Sequence, residues 1–260
     1  MDISSLEYIG MRFTCYFYLE FFLAWISLLQ DFGFENPAIF ALEYTLVPDE
    51  CYPTQLSQAL AGYNYILTII NDPQRICVSG DSAGATIVLS LLLHMSRQFS
   101  IDSEKSIMPS MAVLISPWVM LFSLKNKSNQ SDYLDVESLH LYARQYLGTK
   151  VSVDDPTASP GNCKDLERWT QASPSKGFAF FFGAEEVLAP EIRELVALLR
   201  QTAARVDVDE IKSGIHAWPV ASLFLSSTRV ARLKGLRTIT YKIHERFKGD
   251  PRPIKTAEIY

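Results

Sequence analysis

Short apolar runs alternate along this chain with longer stretches whose apolar residues recur at helical spacing, and this alternation is the strongest constraint on the fold. Five runs predict strands, at 36–44, 75–80, 111–117, 177–183 and 205–211. Helices are predicted at 54–70, 83–98, 134–148, 190–202 and from 218 onward. Strands that alternate with helices favour a mostly parallel sheet with helices on both faces, and the polar-apolar alternation of 205–211 is typical of an edge strand.

The length and composition favour one folded globular domain without a bound metal ion. The 260 residues are 48% hydrophobic and carry no repeat or boundary, so we expect a single domain over 1–260. The four cysteines are scattered, with no C-x-x-C pair and no histidine at ligand spacing, so we predict no metal, no cofactor and a reducing, cytoplasmic location.

Two segments raise the question of a surface partner. Residues 228–260 carry nine Lys/Arg against three Asp/Glu, and we interpret them as a solvated basic helix and tail. No other feature of the sequence supports nucleic-acid binding, so we do not expect the protein to bind nucleic acid. Residues 13–29 are strongly apolar but contain Glu20 and lack the pattern of a signal peptide, so a buried helix is the first interpretation. Membrane association through 13–29 remains the alternative. The oligomeric state cannot be inferred.

The pentapeptide Gly80-Asp81-Ser82-Ala83-Gly84 fits the pattern G-x-S-x-G and lies between a predicted strand and a predicted helix. In this context the pattern indicates a nucleophile elbow, a strained turn that exposes the serine and needs small residues two positions to either side. The helix that begins at Ala83 would direct its dipole at Ser82, so the Ala83 backbone amide is a candidate oxyanion donor. No Gly-Lys-Ser/Thr follows, which excludes a phosphate-binding loop.

A base and an acid follow two other predicted strands. Of the four histidines, only His216 lies in a loop after a strand, and Glu185 and Glu186 follow the strand at 177–183. A serine nucleophile needs such a base, and the base needs an orienting acid. The ends of parallel strands form the ligand crevice of an open α/β sheet, and the order Ser, Glu, His fits an α/β-hydrolase. A small-residue turn, a surface acidic pair and a loop histidine are the simpler alternatives.

Five segments resemble the hormone-sensitive-lipase-like branch of the α/β-hydrolases, in particular its fungal steryl-acetyl-hydrolase-like members: ALEYTLVPDECYPTQ, SGDSAGA, LISPWV, GAEEVLAPEI and GIHAWPVASLF. The resemblance implies the α/β-hydrolase fold and hydrolysis of a hydrophobic carboxylic ester through an acyl-enzyme, with the helical stretch 123–175 on the substrate side. It also implies Ser82 as nucleophile, His216 as base and Glu185 as acid, with Glu186 as the alternative acid.

The sequence differs from that of the family in its N-terminal region. The family carries an H-G-G-G loop whose amides complete the oxyanion hole, and nothing in residues 1–20 resembles it. Two or three leading strands also have no recognised counterpart. We therefore expect an N-terminally truncated sheet and impaired turnover, with the Ala83 amide as the one identified donor.

Two classes of function remain open on this scaffold. The first is a serine esterase. The second is a non-catalytic binding protein, as in the plant gibberellin receptors that resemble this family, because a fold does not by itself determine function.

Overall fold

The computed structural model describes residues 5–9, 15–97 and 107–249, with side chains from residue 18 onward. Within these ranges the strands form one parallel sheet in the order β2-β1-β3-β4-β5-β6. The strands are β1 Ser5–Ile9, β2 Ala38–Leu42, β3 Ile76–Asp81, β4 Met111–Ile115, β5 Phe178–Gly183 and β6 Val206–Ile211. The helices are α1 Cys15–Asp31, α2 Thr54–Ile70, α3 Ala83–Ser96, α4 Val136–Leu147, α5 Leu166–Ala172, α6 Ala189–Leu199, α7 Trp218–Leu225 and α8 Arg229–Lys248.

The central strands are apolar on both faces because helices cover both faces. Every residue of β3, β4 and β5 is buried, as expected of strands inside a doubly covered parallel sheet. Alternate side chains of β5 enter different cores: Phe180 packs with α2, α3, α5 and α6, and Phe181 packs with α1, α7 and α8. We call these the α2–α3 core and the α1–α8 core. The predicted α/β architecture is confirmed.

The predicted elements match the structure except at two places. The five predicted strands correspond to β2 through β6, and β6 ends the described sheet with half-exposed residues, as an edge strand does. The helix predicted from residue 218 is two helices, α7 and α8, because Thr228 caps a new helix by accepting from the Ala231 amide at 3.2 Å. Strand β1 was not predicted, and it pairs with both β2 and β3.

The apolar run at 13–29 corresponds to α1, and the prediction of a buried helix is confirmed for one face. Phe21 and Trp25 are fully buried in the α1–α8 core. Glu20 lies on the opposite face, where its carboxylate is 3.6 Å from the guanidinium of Arg232. Among the described residues, no helix combines the length and apolar character needed to cross a membrane.

Candidate active site

Ser82 occupies the turn between β3 and α3. Its backbone has φ 52° and ψ −119°, outside the helical and extended regions. The turn is so tight that a Cβ on Gly80 would lie 2.5 Å from the carbonyl carbon of Gly84, which explains why glycine is needed there. Ala83 is the first residue of α3, so its amide belongs to the positive end of the helix dipole.

Backbone hydrogen bonds fix the Ser82 turn to the end of β4. The Ser82 amide donates to the Ile115 carbonyl at 2.9 Å, and the Trp118 amide donates to the Ser82 carbonyl at 3.1 Å. Behind the turn, the Tyr18 hydroxyl of α1 donates to the Asp81 carboxylate at 2.8 Å. The turn is therefore held from β4 and from the first helix.

His216 lies in the connection between β6 and α7, and its side chain is buried. The imidazole Nδ1 is 3.9 Å from Glu186 Oε2, and it has no hydrogen-bond partner among the described residues. The ring of Tyr133 meets the imidazole edge-to-face with centroids 5.8 Å apart. Burial lowers the pKa of His216, and the nearby Asp132 carboxylate opposes that shift. The imidazole is therefore neutral near pH 7, the form that can accept a proton.

Glu186, and not Glu185, lies beside the histidine. The Glu186 side chain is buried, and its Oε2 accepts from the Ser116 hydroxyl at 2.7 Å and from the Gly183 amide at 3.2 Å. Burial raises the pKa of Glu186, while these two hydrogen bonds lower it. Glu185 is exposed and lines a cleft of about 410 Å³ with Lys127 and Arg193. The geometry therefore favours Glu186, the alternative acid of the sequence analysis, over Glu185: the two neighbouring loop residues point in different directions, and of the two Glu186 points inward.

Two polar residues of the site were missed by the sequence analysis, Ser116 and Asp132. Ser116 directly follows β4, but the strand was predicted to extend to residue 117, so its position after the strand end was hidden. Asp132 lies in a loop rich in Ser, Asn and Asp, where nothing in the local sequence distinguishes it. Its carboxylate accepts from the Val187 amide at 2.8 Å and from the His216 amide at 3.1 Å.

Unfavourable backbone conformations concentrate at these residues. The described chain has four non-glycine residues with positive φ, and three of them are Ser82, Ser116 and Ala217. Such conformations cost free energy and persist where the surrounding structure enforces them, commonly at functional sites. Their coincidence with the buried Glu186 and His216 marks this sheet end as the candidate site. Within the described ranges, no group of three or more His, Cys, Asp or Glu side chains is placed to hold a metal ion.

Comparison with known proteins agrees with this architecture. Residues 36–220 match a protein family described by its alpha/beta hydrolase fold. An acetyl-hydrolase of Streptomyces hygroscopicus is 30% identical over 70% of this chain and 57% of its own length. Steryl acetyl hydrolase 1 of Saccharomyces cerevisiae is 24% identical over 80% of this chain and 52% of its own length. The chain thus spans about half the length of the curated relatives it matches.

Solved structures show the same fold. A crystal structure described as a hormone-sensitive lipase from a metagenome library superposes with a TM-score of 0.72 at 21% identity, covering 94% of this chain and 78% of the other. The strained serine turn, the strand order and the family match over 36–220 lead to one conclusion. This chain belongs to the α/β-hydrolase family, in agreement with the hormone-sensitive-lipase-like character of its motifs.

Proposed function

We propose that this protein hydrolyses carboxylic esters through an acyl-enzyme on Ser82, with His216 as general base and Glu186 as the orienting acid. The observation that carries the proposal is a strained serine at the start of α3, at the same end of the parallel sheet as a buried histidine whose Nδ1 lies 3.9 Å from a buried carboxylate. Each of these three residues comes from the end of a different strand. This is the arrangement that activates a serine nucleophile.

The reaction follows from these roles. The Ser82 hydroxyl oxygen attacks the ester carbonyl carbon while His216 accepts the hydroxyl proton. The carbonyl oxygen becomes an oxyanion, which the Ala83 amide at the start of α3 stabilises. Collapse of this intermediate expels the alcohol, which takes the proton from His216, and water then releases the carboxylic acid by the same steps.

Burial explains why Glu186 is needed. An apolar environment disfavours the imidazolium that forms in the transition state, as the lowered pKa of His216 indicates. Ionised Glu186, close to Nδ1, offsets this cost and selects the tautomer whose Nε2 is free to accept the serine proton. Because burial raises the pKa of Glu186 to about 8, the population of this form, and turnover with it, should increase as the pH rises toward 8. The Ser116 and Gly183 hydrogen bonds hold the Glu186 carboxylate in place.

We infer that the substrate is a short acyl ester of a hydrophobic alcohol. The support comes from relatives named acetyl-hydrolase and steryl acetyl hydrolase. Within the part of the chain that the structure describes, the Ala83 amide is the one oxyanion donor assigned, and the loss of one donor from an oxyanion hole costs about 10²–10³ in turnover. We therefore expect slow hydrolysis relative to a complete oxyanion hole.

A covalent probe tests the proposal. The protein is treated with a fluorophosphonate, and the modified residue is identified by mass spectrometry, beside turnover of p-nitrophenyl acetate. We expect an adduct on Ser82, and Ser82→Ala should abolish both the adduct and most of the turnover. Ser175→Ala removes an exposed hydroxyl that donates to Gln74 and should leave both unchanged. A protein that binds an ester without forming the Ser82 adduct would instead be the non-catalytic alternative.

A further inference from the structure

The loops that carry the acid and the base are connected by a carboxylate that belongs to neither. Asp132 lies in the connection between β4 and α4 and is almost fully buried. Its Oδ2 accepts from the Val187 amide at 2.8 Å, and its Oδ1 accepts from the His216 amide at 3.1 Å. Val187 directly follows Glu186, so a single side chain holds the backbone of both loops.

Ser116 makes a second bridge between the same two loops. Its hydroxyl donates to Glu186 Oε2 at 2.7 Å and accepts from the Ala217 amide at 2.8 Å. The two side chains do not hold each other directly, because His216 Nδ1 and Glu186 Oε2 are 3.9 Å apart, beyond hydrogen-bond range. Ser116 and Asp132 therefore connect the acid and the base where their own contact does not.

The contacts of the Asp132 carboxylate indicate that it holds the backbone and does not itself react. Among the residues that the structure describes, the hydrogen bonds of the Asp132 carboxylate are all to backbone amides, including that of Tyr133 at 2.9 Å. A carboxylate is acceptor-only and can serve several amides at once, whereas an amide side chain has one acceptor oxygen and would turn an N–H group toward one of these donors. The site therefore requires a carboxylate at this position for geometry.

We propose that Asp132 is a positioning residue that holds the Glu186 loop and the His216 loop in register for catalysis. This inference rests on the proposed function of the Ser82 site. It predicts that removal of the Asp132 charge makes both loops more mobile. It also predicts that kcat falls by a much larger factor than KM changes.

Asp132→Asn is the test, and Asp135→Asn is the matched control. Asp135 lies three residues further along the same connection and is exposed, where it caps α4 by accepting from the Ser138 amide at 2.9 Å. Asparagine caps helices about as well as aspartate, so the control should behave as the unchanged protein. Both variants are compared with the unchanged protein at a temperature well below the unfolding midpoint of the least stable.

Amide hydrogen exchange in the ¹⁵N-labelled protein is the first measurement. In Asp132→Asn the amides of Val187 and His216 should exchange faster by about tenfold or more, as expected when a hydrogen bond to a charged group is lost. Asp135→Asn should leave both rates unchanged. Unchanged rates at Val187 and His216 in Asp132→Asn would overturn the inference.

Kinetics with p-nitrophenyl acetate is the second measurement. We expect kcat to fall by about 10–100-fold, since small displacements of catalytic groups cost this much, with KM changed by less than about threefold. Added to Ser82→Ala, the Asp132 change should cause no further loss of turnover. Faster exchange with an unchanged kcat in a protein whose turnover depends on Ser82 would show that Asp132 is structural only.

The two proposals fail in different ways. If Ser82 takes no fluorophosphonate adduct, the proposed function fails, and the exchange measurement still decides whether Asp132 holds the two loops. If the adduct forms but the Asp132→Asn rates and kcat equal those of Asp135→Asn, only the positioning role fails.

Discussion

At the scale of single residues, the pair Glu185 and Glu186 shows how burial distinguishes two neighbouring carboxyl groups, of which the buried one is the proposed acid. The two side chains are chemically identical and adjacent, yet Glu185 faces solvent and Glu186 faces His216. Burial raises the pKa of Glu186 to about 8. A buried carboxylate costs free energy of folding, so its retention beside an imidazole is understandable if it serves the reaction.

We predict that Glu186→Gln lowers turnover and raises stability at neutral pH. Glutamine cannot offset the imidazolium charge, so kcat should fall by about 10²–10⁴. The raised pKa means that the folded state keeps a proton that the unfolded state has released, so the stability of the unchanged protein falls as pH rises from 4.5 toward about 8. Urea denaturation should find the variant about 1–3 kcal/mol more stable at pH 7 and nearly equal to the unchanged protein at pH 4.

Glu185→Gln is the matched control for both measurements. Its side chain is exposed, so kcat and the pH dependence of stability should stay near those of the unchanged protein. The opposite ranking of the two variants in kcat would return the acid to Glu185, and a stability gap that widens toward low pH would contradict the raised pKa of Glu186.

At the scale of elements, the Glu186 loop and the His216 loop approach each other through Gly183, the last residue of β5, and Gly214, three residues after β6. A Cβ on Gly183 would lie 1.9 Å from the carbonyl oxygen of Gly214, a separation that the backbone cannot accommodate without moving. The Gly214 amide in turn donates to the Ile211 carbonyl at 2.9 Å, which turns the chain back toward the sheet. This close approach places His216 Nδ1 at 3.9 Å from Glu186 Oε2.

We predict that Gly183→Ala separates these loops and impairs the site. Overpacking against backbone should cost about 1–3 kcal/mol of stability, measured by urea denaturation. The displacement should also reduce kcat by about 10²-fold, because positioning is lost.

Gly62→Ala in α2 is the control for the same substitution. There the nearest atom to the new Cβ is a side-chain carbon of Leu42 at 3.1 Å, which can move. Alanine favours the helix over glycine by up to about 1 kcal/mol, so stability should stay similar or rise. Equal effects of the two substitutions on kcat would mean that the Gly183 contact does not position the site.

Also at this scale, periodicity predicted most elements but not the contacts between their ends. The strands from β2 to β6 are apolar or alternating runs, and their positions follow from local sequence. Strand β1 is a five-residue segment with Ser5 and Glu7, and its place depends on pairing with β2 and β3. The serine and histidine were predicted from their positions after strands. The choice between Glu185 and Glu186 could not be decided from the sequence, and Asp132 could not be predicted, since loop side-chain directions depend on tertiary contacts.

At the scale of the whole molecule, the sheet separates two cores, and α1 is central to one of them. Phe21 and Trp25 of α1 pack into the α1–α8 core, with ring centroids 5.4 Å apart. Helix α8 packs against α1 and contributes Leu236 and Ile239 to that core. Helix α8, the described part of the basic segment, and α1 of the apolar segment are therefore partners in one layer of the fold, and residues 250–260 lie outside the described residues. Association of 13–29 with membranes stays a prediction.

Substitutions on opposite faces of α1 test whether that layer is a structural core. Phe21 is fully buried, so Phe21→Ala should lower the free energy of unfolding by about 3–5 kcal/mol through lost burial and a cavity. Leu23 is 59% exposed, so Leu23→Ala should change stability by less than about 0.5 kcal/mol. Urea denaturation followed by tryptophan fluorescence measures both.

Helix α1 also carries Tyr18, whose hydroxyl donates to Asp81 beside Ser82. In Phe21→Ala, fluorophosphonate labelling of Ser82 should therefore be lost at a lower urea concentration than in the unchanged protein, and at the same concentration at which the variant unfolds. A Phe21→Ala protein of unchanged stability would mean that α1 is not part of the folded core, and would favour an external surface, such as a membrane, as its partner.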